Sequence, residues 1–249
     1  MRHFLATACA VLLALCLLGP GAHASVVIGG TRVVFPAGQG EVTVRLSNSA
    51  AHPALVEAWI DDGDVQSTPE TANTPFLITP PLFRMEANKD QSLRILYVAG
   101  AKPLPTDRES LFWLNVLEIP PKPAAKPGEA QNTLQFAVRS RLKLFFRPAG
   151  LAGDSLDAAR QVTWTVAADG AGYALVAHNP TPYHITFSQL SLDVDSVAYA
   201  PGNGMVAPLS TLRLPIKNLH HAPTAGTVVA YTTLNDFGAA TSYQGTIAP

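Results

Sequence analysis

The stretch TLQFAVRSRLKLFFR, residues 133–147, runs for 15 positions without a single turn-forming residue. Leu134, Phe136, Val138, Leu142, Leu144 and Phe146 share one parity, and Arg139, Arg141, Lys143 and Arg147 share the other. That is the period of a β-strand, whose successive side chains point to opposite faces. Strands in globular proteins usually run about 3–10 residues, so this one is long enough to outrun its own sheet. Two readings of the apolar row stand side by side. Either the whole row is core, or its first part, Leu134 to Val138, is an edge whose apolar side chains await a partner. The length of the run favours the second.

The rest of the chain repeats the same period. Val42, Val44 and Leu46 alternate with Thr43 and Arg45 before the turn cluster Asn48–Pro53. Ala54–Asp61, Ser92–Val98 and Ser110–Ile119 read as further strands, and Phe76–Met85 carries Pro80 and Pro81, which confines it to an edge or a bend. After Arg147-Pro148-Ala149-Gly150, read as a hinge, a second set begins. It comprises Val162–Ala167, Tyr173–His178, Ile185–Leu190, Val194–Tyr199, Thr211–Ile216 and Thr227–Leu234. No window holds a helical period between capping signals. The expected fold is all-β: two immunoglobulin-like β-sandwich domains in series, forming a cleft.

Composition agrees. Of 249 residues, 47% are hydrophobic and 14% charged, with 21 Pro and 18 Gly, which suits short strands joined by tight turns. The net charge of -1 gives no global attraction to nucleic acid, so no nucleic-acid partner is expected. Both cysteines, Cys9 and Cys16, lie in an N-terminal segment that reads as a secretory signal. Arg2 and His3 precede the apolar run Ala8–Leu18, and the small-residue site Ala22-His23-Ala24 follows. The expected divisions are a cleaved leader over residues 1–24, one domain over 25–148 and a second over 149–249. The mature chain has no cysteine and must hold together by packing alone.

Residues 107–121, DRESLFWLNVLEIPP, resemble the signature of the periplasmic pilus chaperones of the PapD type. So do TRVVFP at 31–36, TPPLFR at 79–84, the strand from Arg139 to Pro148, NPTPY at 179–183 and LNDFG at 234–238. The matches run in order over nearly the whole mature chain. The resemblance implies a non-catalytic periplasmic chaperone without cofactors. It would bind pilus subunits by donating an edge strand to their incomplete fold and deliver them to an outer-membrane usher. Leu134, Phe136 and Val138 would be the donor strand, and Arg32 with Lys143 would grip the subunit's terminal carboxylate. Strict alternation sets Lys143 on the face opposite Phe136, so a twist or a bulge between Val138 and Lys143 is needed to aim both at one side. Glu109, Arg147 and Asp236 would form an ionic network between the domains. The short connection Lys122–Asn132 resembles the short-loop branch of the family. An exposed apolar edge is an aggregation hazard, which makes a self-capping dimer of the free protein an expected partner state. The alternative function is an extracellular immunoglobulin-like adhesive or structural module, which would need neither the cationic pair nor the exposed apolar row.

Other signals fail on chemistry. Gly153-Asp154-Ser155-Leu156 spells the block of a lipase-like hydrolase family, but no Asp lies three residues before any His to serve that serine. These four residues read as a turn. The mature histidines, His52, His178, His184, His220 and His221, come with no completing cysteine or carboxylate cluster, so no metal site is expected. Asp61-Asp62-Gly63-Asp64 lacks the remaining ligands of a calcium loop and reads as a polar turn.

Overall fold

The computed structural model describes residues 25–100, 103–122 and 134–248. The expected leader and the connection beyond Lys122 lie outside the described residues. The first half contains β1 (Val26–Ile28), β2 (Arg32–Pro36), β3 (Glu41–Asn48), β4 (Ala54–Asp61), β5 (Phe76–Thr79), β6 (Leu82–Met85), β7 (Asp90–Tyr97), β8 (Ser110–Ile119) and β9 (Val138–Arg147). They form two sheets, ordered β1-β3-β7-β5 and β2-β9-β8-β4-β6. The second half contains β10 (Thr163–Asp169), β11 (Gly172–Asn179), β12 (Ile185–Val194), β13 (Val197–Tyr199), β14 (Gly204–Val206), β15 (Ser210–Ile216), β16 (Val228–Leu234) and β17 (Ala240–Thr246). Its sheets are β10-β11-β15 and β13-β12-β16-β17, with β14 beside β12. The only helical turns among the described residues are the short segments Ala37–Gln39 and Ala158–Gln161. The fold is the expected pair of immunoglobulin-like sandwiches.

Each sandwich has its own core. In the first, Phe35, Leu46, Val56, Leu93, Ile95, Leu114 and Leu144 are fully buried. Phe35 stacks on Phe146 at 5.8 Å between ring centroids, and Phe76 meets Phe112 edge-on at 4.9 Å. In the second, Trp164 packs between Phe187 and Tyr231 over Leu175, Leu190 and Leu192. The even-numbered residues of β9, Leu142, Leu144 and Phe146, belong to the first core, as alternation requires.

Every connection from β1 to β8 crosses from one sheet of the first sandwich to the other, and two of these crossings shape its edges. The Pro80-Pro81 pair separates β5, at the edge of one sheet, from β6, at the edge of the other, so the segment supplies both an edge and a bend. The N-terminal crossing matters more. β1 pairs with β3, whereas β2 pairs in parallel with β9, from Arg32↔Lys143 to Pro36↔Arg147. Gly30 makes the switch at φ 145, a conformation that an L side chain resists. β2 therefore covers β9 only from Lys143 onward. From Val138 to Leu142, β9 is bonded to β8 on one side and has no strand on the other among the described residues.

Besides the N-terminal pair β1 and β2, two strands of the second sandwich escaped the sequence reading, β14 and β17. The second is the polar run ATSYQGT, largely exposed, with no apolar alternation to mark it. It forms a hairpin with β16, and the turn between them reaches the first sandwich. Asn235 Oδ1 accepts from the amides of Phe237 and Ala239 at 3.0 and 2.9 Å, which rigidifies that turn. Gly238 sits there at φ 80, so close to Thr31 that an added Cβ would collide with the threonine hydroxyl. Gly238→Val is expected to lower the melting temperature, because a β-branched residue in this region costs about 1–3 kcal/mol before the clash is counted. Thermal melts should also show that Thr31→Ala relieves part of a Gly238→Ala defect, the collision, and leaves the backbone strain.

Candidate functional site

Parallel pairing of β2 with β9 sets Arg32 directly beside Lys143. Both side chains are half-buried where the sandwiches meet. Arg32 Nη1 donates to Leu234 O at 3.0 Å, its guanidinium lies 5.9 Å from the Phe145 ring centre, and its buried Nε has no hydrogen-bond partner among the described residues. Lys143 Nζ lies 3.4 Å from Thr186 Oγ1 of the second sandwich and 5.9 Å from the Trp113 ring centre. Among the described residues neither cation pairs with a carboxylate, whereas Arg139, Arg141 and Arg147 all do. Burial lowers the pKa of Arg32, opposed by the more distant Asp236; burial and the neighbouring Arg32 charge lower that of Lys143. Two adjacent, partly desolvated cations, one with an unfilled donor, make a site for an anion.

Beyond Lys143 the bare edge of β9 continues backwards into Leu134–Ala137, which belong to no strand. Leu134 is 79% exposed, Phe136 69% and Val138 43%. The β8–β9 ladder runs from Ser110↔Phe146 to Glu118↔Val138 without a register shift, so β9 has no bulge. The apolar row and the cations therefore remain on opposite faces. Val138 continues the line of Leu142 and Leu144, the core face of the first sandwich. Lys143, Phe145 and Arg147 look toward the second sandwich, where Phe145 lies 5.2 Å from the His184 ring. A bulge is not needed: one face extends a core, and the other faces the cleft.

At the closed end of the cleft, Arg147 stands between Glu109 and Asp236. Its Nε donates to Glu109 Oε1 at 2.7 Å, and Nη1 and Nη2 donate to the two oxygens of Asp236 at 2.7 and 2.9 Å. The planar fork suits this double engagement. Burial by itself lowers the Arg147 pKa, but the bonds and charges of Asp236 and Glu109 outweigh it and hold it above its ordinary value. Burial opposes ionisation of Asp236 too, yet Arg147 and Ser155 hold its pKa below the ordinary value. Two members were not legible in the sequence. Ser155 Oγ donates to Asp236 Oδ2 at 2.9 Å, and the His184 amide donates to Glu109 Oε2 at 2.7 Å. Ser155, read as part of a turn, thus has a second use. The loop that delivers His184 is tied by Asn179, whose Nδ2 donates to Tyr183 O at 2.7 Å and to Ala207 O at 2.9 Å. No local pattern marks His184, because its partner lies 75 residues away.

The polar-turn reading of residues 61–64 needs one correction. Gly63 does turn on the Asp61 side chain, but Asp61 itself is buried and accepts from Arg141 and Asn115. A broad, uncharged hollow on the outer face of β12, β16 and β17, lined by Gln189, Thr232 and Gln244, lies apart from all of these groups.

Residues 25–152 match the family described as "Pili and flagellar-assembly chaperone, PapD N-terminal domain", and residues 157–245 match "Pili assembly chaperone PapD, C-terminal domain". The chain is 45% identical over 233 residues to the chaperone protein FimB/FhaD of Bordetella pertussis, covering 93% of this chain and 91% of that one. Among solved structures it is similar to the YadV chaperone, at 36% identity and a TM-score of 0.76, over 90% of this chain and 100% of the other. It also matches the structure of the Salmonella enterica SafA pilin in complex with the SafB chaperone, at 29% identity and a TM-score of 0.73, over 92% and 99% of the two chains.

Arg147→Ala is expected to destabilise the protein by about 3–5 kcal/mol, because Glu109 and Asp236 are left as uncompensated carboxylates. The pH dependence carries the same signature. Asp236 has a depressed folded pKa, so its contribution is present above the ordinary value of 3.8 and is lost as the pH falls through the folded value. Melting temperatures recorded from neutral pH down into that acid range should fall in the parent and flatten in Arg147→Ala.

Proposed function

The chain belongs to the family of PapD-type pilus-assembly chaperones, and we propose that it captures pilus subunits by lending them β9 as a missing strand. The observation that carries this reading is the bare edge Val138–Leu142 ending at two cations with no carboxylate of their own. An incoming strand finds unpaired backbone groups along that edge, the donor-strand mode of β-augmentation. Leu134, Phe136 and Val138 lie on the line of the first core, so a subunit sandwich lacking one strand would continue that core over them. Burying each such side chain is worth about 1.5–3 kcal/mol before ordering costs.

The direction of the captured strand follows from the anchor. A strand seated beside Val138–Leu142 lies end to end with β2. Its terminal carboxylate reaches Arg32 and Lys143 only if it runs parallel to β9, as β2 does. The anchor also fixes register, since a one-residue slip would turn every side chain to the wrong face. In this reading Glu109, Arg147 and Asp236 hold the two sandwiches at the angle that keeps Lys143 and Arg32 in one cleft. The work is done in the periplasm, without catalysis, and ends in transfer of the subunit to an outer-membrane usher. A second copy of the chain capping Leu134, Phe136 and Val138 would protect the free edge. An adhesive module would require neither the uncompensated cations nor the exposed apolar row.

Arg32→Ala and Lys143→Ala should each reduce capture of a co-expressed fimbrial subunit by about thirtyfold or more, with an unchanged circular dichroism spectrum. Loss of one partner of a buried charged pair costs about 2–5 kcal/mol, and each 1.4 kcal/mol is about tenfold. The double mutant should be little worse than either single one, because both residues act on one carboxylate. Co-purification measures this, with a subunit amidated at its C-terminus as the matching control. Wild-type capture by both single mutants would remove the anchor.

Phe136→Glu should abolish capture while the chaperone stays folded, since the new carboxylate would have to enter a dry groove unpaired. Co-purification and a thermal melt of the isolated protein separate the outcomes. Unfolding of the free variant would make Phe136 a core residue instead.

A further inference from the structure

An unpaired edge strand is ordinarily blunted or covered, yet Val138–Leu142 is left bare and still extended. Core packing does little to hold it. Of these five residues only Leu142 is buried, and Val138 is 43% exposed. The ladder to β8 restrains one side. The remaining restraint comes from the outer face, through Arg139 and Arg141.

Arg141 lies over Trp113, 4.2 Å from the ring centre, and donates through Nε and Nη2 to both oxygens of Asp61, at 3.1 and 2.5 Å. Arg139 lies on Trp59 at 4.8 Å and donates to Asn115 Oδ1 and Val65 O, each at 2.9 Å. Asn115 Nδ2 closes the cluster onto Asp61 Oδ2 at 2.7 Å, and Trp59 Nε1 donates to Ser67 Oγ at 3.1 Å. Asp61 and Asn115 are 1% and 0% exposed. The cluster therefore bolts the bare half of β9 to β8, to the end of β4 and to the loop that follows it.

Arg139, Arg141 and Lys143 alternate on one face and look equivalent in sequence. Their partners separate them. The first two donate to fixed groups and lie within 4.8 Å of an indole ring centre, whereas Lys143 has no carboxylate among the described residues. We propose that Arg139 and Arg141, through Asp61, Asn115, Trp59 and Trp113, are positioning residues that hold Val138–Leu142 as a preformed template in register with Lys143. The proposal rests on the edge of β9 being the subunit-binding strand, and it assigns these arginines to pre-organisation instead of ligand contact.

The test uses the full mature chain with Arg139→Ala, Arg141→Ala and Arg141→Lys. Amide hydrogen exchange of the free protein is read first. Each alanine variant should speed exchange of those Val138–Leu142 amides that are bonded to β8 by about tenfold and leave Leu144–Phe146 unchanged. Arg141→Lys should restore only part of the protection, because an ammonium has no fork and stacks poorly. Unchanged protection at the edge, or a uniform rise throughout the sandwich, would overturn the proposal; Arg139, the more exposed of the pair, keeps the test readable if Arg141→Ala unfolds. Binding is then measured with a short synthetic peptide of alternating valine and threonine, with a free or an amidated C-terminus. Weaker binding with an intact preference for the free carboxylate supports positioning. Loss of that preference in the arginine variants would make them ligand contacts and overturn it. If the parent protein shows no such preference, the carboxylate-anchor reading fails, while the exchange result still decides the role of the arginines.

Discussion

The departure of the N-terminal strand from β9 is the constraint on which the rest of the structure depends. β1 lies in one sheet and β2 in the other, and Gly30 allows the change between them. Had the chain continued alongside β9, the edge from Val138 to Leu142 would have been filled from within. Because it leaves, a row of unpaired backbone groups opens at the point where Arg32 begins β2. The same crossing thus creates the vacancy and supplies one of the two charges at its end.

The second sandwich gives that vacancy a wall. Arg147, Glu109, Asp236, Ser155 and His184 join β8 and β9 to the β16–β17 turn and to the start of β12. Buried ion networks of this kind add little net stability relative to an apolar packing, because desolvation offsets much of the Coulombic gain. Their directionality is the more useful property. A bidentate fork on Asp236 and a third bond to Glu109 admit one orientation, and Gly238 against Thr31 leaves no slack beside it.

Charge is distributed along β9 by partner and not by residue type. Arg147 is consumed between two carboxylates, and Arg139 and Arg141 are consumed around Asp61. Among the described residues Lys143 and Arg32 have none. Five cations thus lie on or beside one strand, and the two without a carboxylate are the neighbours at the end of the open edge.

The period of residues 133–147, the turn clusters and the absence of helical patterning were enough to read two β-sandwiches in series, because alternation and punctuation are local properties of the chain. The family signatures around Arg32, Glu109, Lys143, Arg147 and Asp236 were legible for the same reason. β17 was not, since ATSYQGT is a strand only by virtue of its hairpin with β16. Nor were Ser155 and His184, whose roles exist through Asp236 and Glu109, far away in the chain. Asp61 looked like part of a polar turn until folding set two guanidinium groups over it. Sequence alone determined which residues alternate and which charges the chain carries. Only the tertiary structure decided which of those charges are neutralised and which edge is left bare, because both depend on contacts between segments that no local period can encode.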